Sequence, residues 1–346
     1  MDEGSMRVTV GMDVGDKYSE LCVLDASGEV VEQTRIRTSP QGMRRYFGRE
    51  RGWRVALEAG THSAWQSRLL RELGHEVIVA NPRRLKLISQ GDDKNDRTDA
   101  ELLARLAKVD VQLLSPLVHR GADTQAALSV LRSRMQLVRA RTALINHVRG
   151  SVKAMGHRLK GSSAETFHRR GAELPEALHA ALLPVMECIE QLSGRIAVLD
   201  AEVNRLCKHD YPQTGALMQV PGVGPVTALT FVLTLEDPQR FARSRQVGAY
   251  LGLCPRRRQS SEHDPQLRIS KAGDRELRRL LVACAHYIIG PFGPDSELRR
   301  HGLKLCARGG RNAKKRAVVA VARKLAVVLH QLWLSGEAYE RVRPAA

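Results

Sequence analysis

Aromatic residues are scarce in this chain, 4% of its 346 residues. Its cores must therefore be built from Leu, Val, Ile and Ala, and base stacking on aromatic rings is not expected to be its main binding mode. Paired cysteines are also missing. Cys22, Cys188, Cys207, Cys254, Cys284 and Cys306 are scattered, with no CxxC pair among them, so they read as reduced thiols of a cytoplasmic protein, mostly in cores. No apolar run approaches the roughly 18 residues of a membrane span. The opening MDEGSMRVTVGMD lacks the basic-then-apolar order of a secretory leader.

What is abundant is positive charge, and it is unevenly placed. The formal net charge is +18. Residues 1–110 hold 18 Lys and Arg against 18 Asp and Glu; residues 111–210 hold 14 against 9, and residues 211–346 hold 23 against 10. A basic segment beside a neutral one points to a polyanion bound mainly by the basic segment. Hydrophobic residues reach 43%, enough for a real core in each of two domains of roughly 100–200 residues.

The hydrophobic pattern changes twice along the chain. Alternation predicts strands at 7–13, 19–25, 29–37, 54–59 and 76–80, and helices at 40–49 and 63–73. Three strands in a meander, then strands alternating with helices, imply a mixed sheet flanked by helices. From Leu178 to Leu206 the apolar residues Leu178, Leu182, Val185, Ile189, Leu192, Ile196, Leu199, Val203 and Leu206 repeat at heptad spacing. A weaker seam runs through 124–155. The expected architecture is an α/β domain at 1–110, a helical coiled-coil stalk at 111–210, and a mainly α, basic domain at 211–346. The stalk either folds back on itself or pairs with another chain. The cleaner seam favours the second, a homo-oligomer (dimer or tetramer) whose working site is shared between subunits.

Four acids sit where metal chemistry wants them. Asp13 ends the first strand, Glu58 ends the apolar strand RVALEA, and Asp96 and Asp99 share one face at the head of a helix. Carboxylates so placed can converge and hold Mg2+ or Mn2+, the ions that favour hard oxygen ligands. Two such ions can serve phosphodiester chemistry. Each acid also has a plain structural reading. Asp13 can cap a turn, Asp96 lies in the polar run GDDKNDRTD, and Asp99 can follow a capping box of Thr98 and Glu101.

Further on, QVPGVGPVTALTFV reads as a helix-hairpin-helix in which Gly222 and Gly224 permit a tight turn with outward N–H groups. Such a turn before a helix N-terminus can grip a phosphate without reading sequence. An ordinary helix connection has the same composition. Then Arg256, Arg257 and Arg258 precede Ser260 and Ser261, and Lys271 and Arg275 follow in a basic stretch. Guanidinium groups beside a hydroxyl can hold a phosphate and stabilise its displacement. The plain alternative is a polar loop beside a nucleic-acid-binding arginine cluster.

As a set, GMDVG, LEAGTHS, NPRRLK and KNDRTDAELLARL resemble the DEDD domain of certain bacterial insertion-sequence transposases, which is similar to the junction resolvase RuvC and has an RNase H-like fold. LGLCPRRRQSS and SKAG before a basic helix resemble the C-terminal domain of the same family. The resemblance implies Asp13, Glu58, Asp96 and Asp99 as the catalytic metal ligands and Ser260 as the nucleophile, with Ser261 one residue out of register. It also implies double-stranded DNA as substrate, a structured guide (bridge) RNA as partner, and no membrane. Two other classes compete: a metal-dependent, structure-selective nuclease that needs no serine, and a non-catalytic DNA-bridging protein that needs neither serine nor acids.

Overall fold

Five strands form one sheet in the order β3-β2-β1-β4-β5, with β1 at Thr9–Val14, β2 at Tyr18–Leu24, β3 at Val30–Arg37, β4 at Arg54–Glu58 and β5 at Glu76–Ala80. β1 to β3 form the antiparallel meander, and β4 and β5 add in parallel beyond β1. This computed structural model describes residues 7–82, 95–256, 258 and 267–341. By its contacts the chain divides into two units, Met1–Gly121 and Ala122–Ala346. Each expected strand of the sheet is present within about two residues of its expected limits.

The sheet is covered on both faces, and period-two alternation decides which residue meets which cover. On one face Val10, Met12, Leu21, Val23, Val55, Leu57, Val77 and Val79 form a cluster with Met43 and Phe47 of α1 (Pro40–Phe47) and Leu69 and Leu70 of α2 (Ser63–Glu72). α1 starts where the Ser39 side chain accepts from the N–H of Gly42, with Pro40 in its first turn. On the other face Cys22, Leu24, Ala56 and Ala80 meet Ala100, Leu103, Ala104 and Ala107 of α3 (Asp96–Val109).

The second face is unusually close. A Cβ on Gly11 would lie 1.9 Å from the carbonyl oxygen of Ala100 and 2.5 Å from the backbone nitrogen of Ala104. Only glycine lets the backbone of α3 rest on β1, and the alanines facing the sheet serve the same end.

In the second unit, α4 (Ala122–Ala154) and α5 (His179–Arg205) pack as an antiparallel hairpin. Leu128 and Leu131 cluster with Val203 and Leu206 at one end, and Ile145, Val148 and Val152 with Leu182, Met186 and Ile189 at the other. Arg134 pairs with Asp200, and buried Arg141 donates to Ser193 (3.2 Å) and Glu165 (3.0 Å). The expectation that the heptad seam pairs with another chain is therefore corrected. Leu182, Ile189, Ile196 and Val203 are buried within the chain, so the seam gives no reason to invoke a second subunit.

The hairpin shares its unit with the basic segment. Ala127, Leu128, Leu131 and Val203 also touch Leu229 and Leu233 of a helix at Pro225–Leu235. In order, α6 is Thr214–Met218, α7 Pro225–Leu235, α8 Arg245–Tyr250, α9 Arg275–Ile289, α10 Glu297–Cys306 and α11 Ala313–Ser335. α11 is long and apolar enough to cross a membrane by length and composition alone. Here its residues Val318, Val321, Leu325 and Leu329 are buried in the largest cluster of the unit, against α7 and α9.

The Gly11 contact generates a prediction. Gly11→Ala should lower unfolding free energy by about 3 kcal/mol, the upper end for overpacking, because the obstacle is helix backbone rather than a movable side chain. Chemical denaturation of the two proteins measures this. A change under about 0.5 kcal/mol would show that α3 can stand off from β1.

Candidate active site

Asp13 and Glu58 follow directly from the sheet register. β1 and β4 run parallel, and their last paired rung is Met12 with Leu57. The next residue on each strand is an acid. Alternation places Asp13 on the face of Gly11 and Glu58 on the face of Ala56, the face covered by α3. Both are half-buried. The turn after Glu58 is tied down by Ser63, whose hydroxyl donates to the Gly60 carbonyl (2.8 Å) and accepts from the Gly60 N–H (2.9 Å). Trp65 Nε1 donates to His62 Nδ1 (3.1 Å), leaving His62 Nε2 to donate to Asp16 (3.2 Å).

α3 supplies the other two acids. Its N-cap is Asn95, whose side chain accepts from the N–H of Arg97 (3.0 Å). Asn95 rather than Thr98 is the cap, and Asp96 and Asp99 both fall in the first turn, at the head of the helix as expected. The four acids reach one another electrostatically. Burial pushes the Asp13 carboxyl up to about 6, and the charges of Asp96, Asp99 and Glu58 push it the same way, against the lowering effect of the Val14 N–H.

Sequence reading missed a fifth acid. Glu20 on β2 is paired directly across from Asp13. It is buried and accepts from Arg35 Nε (2.5 Å), and Arg97 of α3 reaches to 3.9 Å from its other oxygen. A signal was present. YSELCVL is apolar on both faces of the strand, so a charge inside it called for a partner, as Glu58 did in RVALEA.

Among the described residues, no three His, Cys, Asp or Glu side chains stand together as a metal-ligand group. The chemistry of the donor set nonetheless fits a hard divalent ion. All four are carboxylates, and the raised Asp13 marks a place where added positive charge is favourable.

The second set of expected residues lies in the other unit. Gly222 has a left-handed backbone (φ +87°), and a Cβ there would come within 2.7 Å of the Tyr287 ring. Gly224 caps α7 and opens to space. Both glycines are exposed, while α7 itself is buried from Thr227 to Leu235. Arg256 and Arg258 are exposed, as are Lys271 and Arg275 at the start of α9. Arg257, Ser260 and Ser261 lie outside the described residues.

The base of the serine segment is a clasp of two glycine turns. A Cβ on Gly252 would sit 2.3 Å from both backbone N and O of Ala272, and one on Gly273 would sit 2.1 Å from the Tyr250 carbonyl oxygen. Backbone bonds join Ser270 to Cys254 (2.9 Å), Lys271 to Gly252 (3.1 Å) and Arg256 to Arg268 (3.0 Å). Arg278 Nη1 then donates to the Leu251 (2.9 Å) and Ala272 (2.7 Å) carbonyls.

With this geometry in hand, the comparisons can be placed. Residues 10–156 match a family model described as transposase, for the DEDD domain of IS110 elements. Residues 215–299 match the model described as transposase IS116/IS110/IS902 family. A probable family 20 transposase of Pseudomonas aeruginosa is 30% identical over 332 residues, 93% of this chain and 96% of the relative. The transposase for insertion sequence element IS1111A of Coxiella burnetii is 30% identical over 349 residues, 95% of this chain and 90% of its own. A pilin gene-inverting protein of Moraxella bovis is 24% identical over 265 residues, 73% of this chain and 71% of its own. These matches together define a transposase. The chain belongs to the IS116/IS110/IS902 transposase family.

The raised Asp13 carboxyl makes a stability prediction. Its folded value lies above its ordinary 3.8, so the folded state binds more protons, and stability falls as pH rises from about 4 to about 6. Asp13→Asn should therefore stabilise the metal-free protein at pH 8. The gain should be on the order of 1 kcal/mol once solvent screening of this half-buried group is discounted. Little gain should appear at pH 4. Thermal melts in EDTA at both pH values test this, and equal gains at both would mean the effect is not electrostatic.

Proposed function

We propose that this transposase cuts and rejoins double-stranded DNA through a covalent phosphoserine intermediate. In this reading residues 1–110 form an RNase H-like, RuvC-like catalytic domain, with Asp13, Glu58, Asp96 and Asp99 holding Mg2+ or Mn2+. The observation that carries it is the placement of Asp13 and Glu58 near the ends of two adjacent parallel strands and of Asp96 and Asp99 in the first turn of the helix on that face, near enough for their charges to add to burial in raising the Asp13 carboxyl. A divalent cation bound there supplies charge neutralisation at a scissile phosphate and lowers the barrier to displacement.

The remaining chemistry belongs to the chain. Ser260 is the nucleophile. Its oxygen bonds to phosphorus as one phosphorus–sugar oxygen bond breaks. The hydroxyl proton leaves, and the departing sugar oxygen takes up a proton. Reversal by a different sugar hydroxyl rejoins strands with no external energy source, since the ester conserves the bond. Arg256, Arg257 and Arg258, with Lys271 and Arg275, hold the phosphate and balance the charge that develops on it. The Gly222–Gly224 turn, with its exposed backbone ahead of α7, grips a neighbouring phosphate as a helix-hairpin-helix does. A guide RNA selecting the DNA sites is compatible with the basic excess beyond residue 110.

Incubation with element-end DNA and Mg2+, followed by denaturation, should yield a protein–DNA adduct. EDTA or Asp13→Asn should reduce it by about 100-fold or more. Ser260→Ala should abolish it, and Ser261→Ala should retain some. Adducts surviving in the Ser260/Ser261 double variant would remove serine chemistry. Free cut ends with no adduct would favour a nuclease. A second readout needs no turnover: Mg2+ at ten times its dissociation constant should stabilise the wild type by about 1.4 kcal/mol, and Asp13→Asn much less.

A further inference from the structure

An open trough in the first unit lies away from the carboxylates. It runs along the outer edge of the sheet between β3 and α1, with a volume of about 1150 Å3. Five cationic side chains line it: Lys17, Arg35, Arg37, Arg45 and Arg49. One carboxylate, Glu32, is also there, and it is engaged by the Tyr46 hydroxyl (2.9 Å). The unit as a whole is electrically balanced, so this concentration is local. Arg44, Arg54 and Arg105 pair with carboxylates. Among the described residues, Lys17, Arg37, Arg45 and Arg49 form no ion pair and are all exposed. Exposed cations left unpaired around a trough attract a polyanion.

The spacing narrows the choice. Arg35 and Arg37 are two residues apart on one strand, about 6.8 Å. Lys17 lies beside the end of β3, where its carbonyl accepts from the N–H of Thr38 (2.9 Å). Arg45 lies in the last turn of α1, and Arg49 two residues beyond its end. The strand interval suits successive phosphates of an extended single strand. β3 is the edge of the sheet, so its outward backbone N–H groups add donors.

An exposed ring completes the set. Tyr18 is 44% exposed, and the Arg35 guanidinium stacks 5.3 Å from its centroid. A cationic trough with one such platform is the device by which proteins hold single strands irrespective of sequence. An acidic peptide adding to the β3 edge would want alternating apolar pockets, and the floor here offers Ile36 among polar residues.

We propose that the trough between β3 and α1 binds a single strand of nucleic acid, phosphates along Lys17, Arg37, Arg45 and Arg49 and a base on Tyr18. The phosphodiester backbone is the shared chemistry, whether the strand is RNA or displaced DNA. The proposal needs neither the serine nor the metal. It takes from the functional reading only that the polyanion is nucleic acid.

The test is site-resolved photocrosslinking of the full-length protein in EDTA, so that failure of the carboxylate chemistry cannot affect it. The probes are 12-residue oligouridine and oligothymidine carrying 5-iodo bases, with a 12-base-pair duplex as control. Crosslinks from at least one single strand should map within residues 17–49, and which strand gives them identifies RNA or DNA as the source. Arg37→Gln with Arg45→Gln should lower that yield by roughly tenfold or more at 0.1 M salt and make its log–log salt dependence shallower by about 1.4. Tyr18→Ala should lose the base crosslink while keeping the salt slope. Melts should confirm that these exposed substitutions leave the fold intact. Crosslinks confined to residues 122–346, equal labelling by the duplex, an unaffected Gln variant, or displacement by polyglutamate as efficient as by oligonucleotide would each overturn the proposal.

Discussion

The candidate active site depends on one backbone contact, the seat of α3 on β1 at Gly11. Without a side chain there, the carbonyl of Ala100 and the nitrogen of Ala104 come within a distance that no Cβ tolerates. Ala100, Ala104 and Ala107 keep the rest of the interface thin. A helix held this near the sheet has little freedom to slide. Its first turn is therefore fixed relative to the strand that carries Asp13, and the register of β1 with β4 fixes Glu58 beside it. The acids cost less at this position than elsewhere, because the N-terminal end of a helix dipole favours negative charge.

The same geometry divides the charge of a unit that is neutral in sum. Asp13 looks toward three acids, while the far side of the meander carries the unpaired cations of the trough. Glu20 stands between the two. It is directly across from Asp13 on β2, and Arg35, a lining residue of the trough, is directly across from Glu20 on β3. Arg97, the residue after Asp96, approaches from α3. Three adjacent strands and a helix thus share one buried carboxylate. Its bond to Arg35 anchors a guanidinium that Tyr18 also stacks, so the edge of the sheet is ordered from its interior.

The strands, and the order in which the four acids occur, were legible because alternation and strand ends leave a direct mark on sequence. The position of Glu20 across from Asp13 was not, since register between β1 and β2 is set by the whole sheet and not by any local pattern. The helix head at Asp96 and Asp99 was legible, but its cap was not, because Asn95, Thr98 and Asp99 all suit one and only the packed helix selects Asn95. α10 leaves only a weak mark on the sequence, since Gly302 lowers its helix propensity. The glycine is needed, as a Cβ there would fall 2.7 Å from Ile289 and 2.9 Å from Val321. The heptad seam told that Leu182, Ile189, Ile196 and Val203 need a partner helix, and periodicity carries no information on whose helix it is. The partner is α4, whose weaker seam is interrupted by Arg141, a buried cation whose bonds to Ser193 and Glu165 only the fold reveals.

The serine segment shows how two motifs that look separate in sequence are one object. YLGLCP and SKAG stand about twenty residues apart, yet Gly252 and Gly273 each lie where the other motif's backbone leaves no room for a Cβ. Both have positive φ, as does Lys271 at φ +55°, a conformation that a non-glycine residue adopts only under constraint. Arg278 supplies part of that constraint by bonding carbonyls on both sides of the clasp from the first turns of α9. The consequence concerns the charges rather than the serine. Lys271 and Arg275 are presented from a base closed by backbone contacts on one side and by a capped helix on the other. A basic surface fixed in this way can receive a phosphate before any nucleophile is brought to it.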